Sequence, residues 1–130
     1  MHQPEHTVAP PHWQIQRWFE AVTHCERTAE PYALITVLTT AGSTPREQGT
    51  KMVVTPDRQF DTIGGGHLEF KAIALAREAL ANAAQQRTNH QQLHAFPLAS
   101  ALGQCCGGAV KLLIETHVSH QQVVALFGAG

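Results

Sequence analysis

Charge is scarce in this chain, and what there is nearly cancels. Only 15% of the 130 residues are charged, nine basic against ten acidic, for a formal net charge of −1. Binding duplex nucleic acid or an acidic membrane through a basic face needs an excess of Lys and Arg, and none exists. Cysteine is rarer still. Cys25, Cys105 and Cys106 are odd in number and two are adjacent, which argues against a secreted disulfide scaffold. No apolar run approaches the roughly 18 residues that span a bilayer. The opening MHQPEHTVAPPHW also lacks the charged-then-apolar layout of a signal peptide. The expectation is a cytoplasmic protein of a reducing compartment, with neither nucleic-acid nor membrane partners.

What is present suits one packed domain: hydrophobic residues make up 43% of the chain. Residues 1–11 read as a disordered leader. Ile15, Trp18, Phe19 and Val22 recur at helical spacing, predicting a helix over 13–22, and Pro31 closes that region. YALITVLTT (32–40) is short and β-branched, hence a buried strand. AGSTPREQGT (41–50) reads as a loop, KMVVT (51–55) as a second strand and FDTIG (60–64) as a third. In HLEFKAIALAREALANAAQQR the stripe Leu68, Ala72, Leu75, Ala76 and Ala79 predicts a long helix from Leu68 to Gln86. QLHAFPL (92–98) and AVKLLIETHV (109–118) read as strands flanking the glycine-bounded loop LGQCCGG (102–108). VVALFGAG (123–130) reads as a last strand running into Gly-Ala-Gly. The fold class expected is α/β: a mixed β-sheet of about five or six strands, one long helix packed on it and an N-terminal helix. Hairpin-like spacing between the second and third strands argues against an all-parallel sheet.

Three stretches could carry chemistry. In TIGGGHLEF, Gly64, Gly65 and Gly66 precede a helix. They suit a tight strand-to-helix turn, and equally an anion reaching the unpaired N–H groups of the helix start. Glu69 in the first turn suits the dipole but would repel a phosphate placed close to it. In GSTPREQGTKM, Ser43 and Thr44 offer hydroxyls, Arg46 a planar fork and Lys51 a point charge for an oxyanion, although an ordinary solvated loop reads the same way. In GQCCGG, the adjacent Cys105 and Cys106 cannot form a C-x-x-C zinc knuckle. Bounded by Gly103, Gly107 and Gly108, a thiol there could be a soft ligand, a nucleophile or a small buried hydrophobe. Nine histidines include the spaced pairs His90/His94 and His117/His120, without a carboxylate or cysteine partner at metal-site spacing. Cys25 reads as structural.

Taken in order, GSTPREQGTKMVVT, DTIGGGHLEF, LGQCCGGAVKLLIE and LFGAG resemble the xanthine dehydrogenase accessory protein family, XdhC/CoxI, the molybdenum cofactor insertion proteins. The likeness runs over residues 33–130. It implies an N-terminal XdhC/CoxI-type domain over 12–121, and over 122–130 the first strand of a truncated Rossmann-like domain. It also implies an accessory protein rather than an enzyme. Such a chaperone binds the molybdenum cofactor (molybdopterin), protects its sulfurated form, and delivers it to xanthine dehydrogenase or a related molybdenum hydroxylase. Its other implied partner is the cysteine desulfurase that supplies the sulfur. On this resemblance the cofactor-binding set is Gly64, Gly65, Gly66, Cys105, Cys106, Gly107, Gly108, Ser43, Arg46 and Lys51. Cys105 or Cys106 would contact molybdenum, and the protein alone would hold no metal. Many relatives carry glycine where this chain has Asp61, a change expected to be tolerated in a turn. The rival readings are a thiol-based oxidoreductase using Cys105 and Cys106 with His67 or His94 as base, a nicotinamide-dependent oxidoreductase, and a module that only recruits a partner. The apolar VVALF strand invites pairing with a second copy, hence a homo-oligomer.

Overall fold

The computed structural model describes residues 14–40, 48–97 and 109–118. Its elements are α1 (Trp18–Thr28), β1 (Tyr32–Thr40), β2 (Lys51–Val54), β3 (Gln59–Asp61), α2 (Gly66–Gln86), β4 (Gln91–Pro97) and β5 (Ala109–His117). The strands form one sheet in the order β3-β2-β1-β5-β4. The α/β class, the long helix, the N-terminal helix and, among the described residues, a five-stranded sheet agree with expectation. Each of the four pairings among the described residues is antiparallel, so this part of the sheet contains no parallel pair. The leader, the Gly-Ala-Gly strand and the cysteine loop lie outside the described residues.

The two sheet faces bury different things. On one, Ala33, Ile35 and Val37 of β1 join Met52, Val54, Val110, Leu112 and Ile114 under α2. That helix meets the sheet with Leu68, Ala72, Ile73, Ala76, Ala79, Leu80 and Ala83. Four of those seven are alanine, and the small side chains let the helix axis lie close to the strands, where any added methylene must displace a neighbour. On the other face Tyr32, Val53 and Phe60 pack with Ile15, Ala21 and Cys25 of the α1 region.

The first helix begins at Trp18, five residues later than its apolar spacing suggests. The Trp18 N–H is taken by Asp61 Oδ2 at 3.0 Å, and Glu20 Oε1 accepts the Arg17 N–H at 3.1 Å. The start is thus set by a carboxylate from β3 as well as by a local one. It runs on through polar Glu26 and Arg27 to a left-handed Ala29, φ 59°. β3 stops at Asp61, short of the predicted Gly64, because Asp61 itself adopts φ 67°.

Candidate functional site

Strand direction decides where the motif loops emerge. β1 and β5 are antiparallel with Thr40 opposite Val110, so the end of β1 and the start of β5 share one end of the sheet. Lys51, the first residue of β2, lies opposite Thr36 and faces the same end. β3 finishes there with Asp61 opposite Met52, and β4 with Pro97 opposite Ala109. Every stretch that the sequence singles out therefore leaves or rejoins the sheet at this end: 41–50, 62–66 and 98–108.

Of the four side chains that the first loop motif offers an oxyanion, Lys51 lies among the described residues. Ser43, Thr44 and Arg46 lie outside the described residues, as do Cys105, Cys106, Gly107 and Gly108. The Lys51 ammonium donates to Thr36 Oγ1 at 3.2 Å and stands 5.7 Å from the Trp18 ring centroid. Among the described residues the ion pairs are Arg17–Asp61, His24–Glu30 and Arg58–Glu30, so Lys51 has no carboxylate partner there. It is also the one described lysine that is not exposed. With Arg17, Trp18, Gln48, Gly49, Thr50 and Asp61 it lines a cavity of about 280 Å³.

Asp61 is the hinge of this end. Its register places it beside Met52, on the α2 face, yet its carboxylate reaches α1 across the sheet edge, since the left-handed φ redirects the side chain. Oδ2 accepts from Arg17 Nε and the Trp18 N–H, both at 3.0 Å, and Oδ1 from its neighbour's Thr62 N–H at 2.9 Å. Partial burial pushes the Asp61 carboxyl upward, but the Arg17 side chain and the two amides outweigh this and hold it below the usual carboxylate range. Aspartate is among the few residues that tolerate positive φ, and here it adds an anchor that a glycine would lack.

The triple glycine has a conformational reason. Gly64, Gly65 and Gly66 take φ of 118°, 76° and 74°, and Gly65 combines this with ψ −168°, a region essentially reserved to glycine. A Cβ on Gly65 would meet nothing within 4 Å, so backbone strain rather than crowding is the constraint. The amides of the turn are also engaged internally. Glu69 Oε1 accepts from Ile63 N at 3.0 Å, Gly65 N at 2.9 Å and the Thr62 hydroxyl, while Gly64 N donates to Thr62 Oγ1 at 3.0 Å. The carboxylate that was expected to repel an anion at this helix start occupies the anion's place.

Behind the corner lies a second cavity of about 540 Å³, lined by Gln59, Gly66, Glu69, Phe70, Ile73, Ala74 and Arg77. Arg77 there donates to the carbonyls of Thr55 and Arg58 at 3.1 and 3.3 Å.

The histidines do not assemble. His94 meets Gln92 Oε1 at 2.9 Å and His117 stacks on Tyr32 at 4.8 Å. Among the described residues no cluster of three or more His, Cys, Asp or Glu could hold a metal. Burial, helped by the Glu30 carboxylate, pushes the Cys25 thiol up to about 12, which agrees with a structural role. Arg17, Trp18 and Asp61 are the site residues that sequence reasoning missed; the departure from glycine at Asp61 was the available signal. No helix among the described residues is long and apolar enough to cross a membrane.

Comparison with known proteins bears on this end of the sheet. YqeB of Escherichia coli K12 is 35% identical over 100 residues, which is 77% of this chain and 18% of YqeB. A crystal structure of a xanthine dehydrogenase from Bacillus halodurans matches with a TM-score of 0.57 at 23% identity, over 75% of this chain and 29% of that one. At that identity the likeness is one of fold. The chain thus spans less than a third of either relative's length. The XdhC and CoxI family matches residues 25–91, half of the chain, including Lys51, Asp61 and the glycine corner. The chain belongs to the XdhC and CoxI family.

Proposed function

We propose that this chain is the cofactor-handling part of a maturation chaperone, which binds the molybdenum cofactor and passes it to xanthine dehydrogenase or a related molybdenum hydroxylase. The observation that carries this reading is that the strand ends flanking 41–50, 62–66 and 98–108 lie together at one end of the sheet. The sheet topology thus attaches motifs some sixty residues apart in sequence to one end, where a single ligand can meet them. The members of the set are Ser43, Arg46, Lys51, Gly64, Gly65, Gly66, Cys105, Cys106, Gly107 and Gly108.

The residues present fit the cofactor's chemistry in part. Molybdopterin carries a phosphate and a dithiolene that holds molybdenum, and its metal supplies the redox centre of the client enzyme. Lys51, a partly buried ammonium without a carboxylate among the described residues, suits the phosphate. Cys105 and Cys106 offer soft donors for the sulfur-rich end. Gly64–Gly66 suit it less directly, because Glu69 already holds two amides of that turn; there the glycines shape the corner, and a ligand gains those amides only by displacing Glu69. The chaperone has no turnover of its own, works with a cysteine desulfurase in the cytoplasm, and self-associates. Residues 12–121 form its N-terminal domain, and 122–130 open a Rossmann-like one.

The test is binding of anaerobically released molybdenum cofactor to the 130-residue chain and to a Cys105→Ala/Cys106→Ala variant. Saturable binding that the variant loses supports the reading. Failure of the parent chain to bind overturns it for this chain, and equal binding by both removes the thiols from the site.

A further inference from the structure

We infer that Lys51, Arg17 and Trp18 form an oxyanion subsite that takes a phosphate monoester. It deepens the cofactor-handling reading but does not depend on the cysteine loop. Charge is the first reason. Among the described residues, the charged groups lining the cavity are the Lys51 ammonium, the Arg17 guanidinium and the Asp61 carboxylate. Arg17 and Asp61 neutralise each other through a 3.0 Å contact, so among the described residues Lys51 supplies the uncompensated positive charge.

Position is the second reason. Lysine side chains ordinarily extend into water, and the other two described lysines, Lys71 and Lys111, are exposed. Lys51 instead projects from a strand onto the face shared with α1, held between the Thr36 hydroxyl and the Trp18 ring. These two contacts fix the ammonium without cancelling its charge, and among the described residues its hydrogen bond goes to Thr36 alone, out of three N–H donors. The side chains of Gln48 and Thr50 add neutral donors on the cavity wall. The Glu69 carboxylate, which would oppose an anion, is turned into the glycine corner and does not line this cavity.

A compact dianion fits this arrangement better than a carboxylate does, because it can take Lys51 and the outer Arg17 nitrogens together. Arg17 Nε is spent on Asp61, and the guanidinium is 60% exposed. The phosphate of a pterin and that of any other small ester present the same group, so the site is defined by the phosphate.

The experiment uses the 130-residue chain with Trp13→Phe, which leaves Trp18 as the only tryptophan of the two. Its fluorescence is followed during titration with inorganic phosphate, phenyl phosphate and, at matched ionic strength, sodium chloride. Phosphate and phenyl phosphate should give a saturable change that chloride does not. Lys51→Met should weaken binding about ten- to a hundredfold, the loss expected for a charge-assisted hydrogen bond. Lys51→Arg should retain most of it, and far-UV circular dichroism checks that both variants fold. Tighter binding of phenyl phosphate than of inorganic phosphate would indicate an organic ester. Equal responses to phosphate and chloride, or equal affinities of the parent and a folded Lys51→Met, would overturn the subsite. If phosphate binds here but cofactor does not, the subsite stands and the cofactor reading falls.

Discussion

Replacing Glu69 by alanine removes the acceptor that organises the glycine corner. One oxygen, Oε1, takes the N–H groups of Ile63 and Gly65 and the Thr62 hydroxyl. Each bond to a charged acceptor contributes about 1.5–3 kcal/mol when buried. Glu69 is only half-buried, and water can replace part of what is lost, so about 1 kcal/mol per bond is the better figure. The favourable placement of a carboxylate in the first turn of α2 adds about 0.3–1 kcal/mol. Glu69→Ala should therefore destabilise the domain by roughly 3 kcal/mol. With a urea slope of about 1–3 kcal/mol per molar, the unfolding midpoint falls by about 1–3 M. Glu69→Gln retains an oxygen in the same place and should lose about half as much. Urea titrations of the three proteins, followed by circular dichroism, provide the comparison. A Glu69→Ala midpoint within about 0.3 M of the parent would show that the corner is held by its glycine conformations and not by the carboxylate.

Asp61→Asn should cost about 1–2 kcal/mol at neutral pH, through weaker bonds to Arg17 and Trp18. Because the folded Asp61 carboxyl lies below its ordinary value, its contribution is complete above about pH 4 and is lost as pH falls further, so the stabilities of parent and variant should converge in acid; a gap unchanged at pH 2.5 in thermal melts would refute this. Gly65→Ala forces a side chain into a backbone region that only glycine enjoys and should cost about 1–3 kcal/mol in the same melts, although the space beside it is open. Ala76→Leu, under the centre of α2, should cost about 1–3 kcal/mol by overpacking, and a neutral result would mean that helix and sheet can separate cheaply. With its thiol at about 12 and fully buried, Cys25 should resist iodoacetamide at pH 8 in the native protein and react in urea, as peptide mass spectrometry would show.

What could be read from the sequence divides along the range of the interactions. The alanine-and-leucine stripe from Leu68 to Gln86 is a local periodicity, and it predicted α2 to within two residues at its start. The β-branched run 32–40 likewise became β1 with the expected bounds. The start of α1 differs from the expected one because part of its cap comes from Asp61, 43 residues from Trp18, which no local pattern encodes. The glycine corner was legible as a corner, but the part played by Glu69 was not: its charge was evident, and its direction depends on how the chain turns through Gly64 and Gly65. The Lys51 cavity needs both the β1–β2 register, which sets Lys51 against Thr36, and the seat of Trp18 on α1. Neither is a property of the loop motif that contains Lys51.

The pairing of β1 with β5 has a consequence for how the chain comes into being. Ile35 and Ile114 meet at the middle of the sheet, yet they are about 80 residues apart along the chain, a costly loop to close. During synthesis α1, β1, β2, β3 and α2 all emerge first, and one edge of β1 must wait, unpaired, until residues 109–117 arrive. The central pair thus forms only after the other described strands have emerged, which makes folding slow for its size and leaves an apolar strand open meanwhile. A nascent chain halted before Ala109 should be sticky and prone to aggregate, and such a domain gains from rapid synthesis of β5.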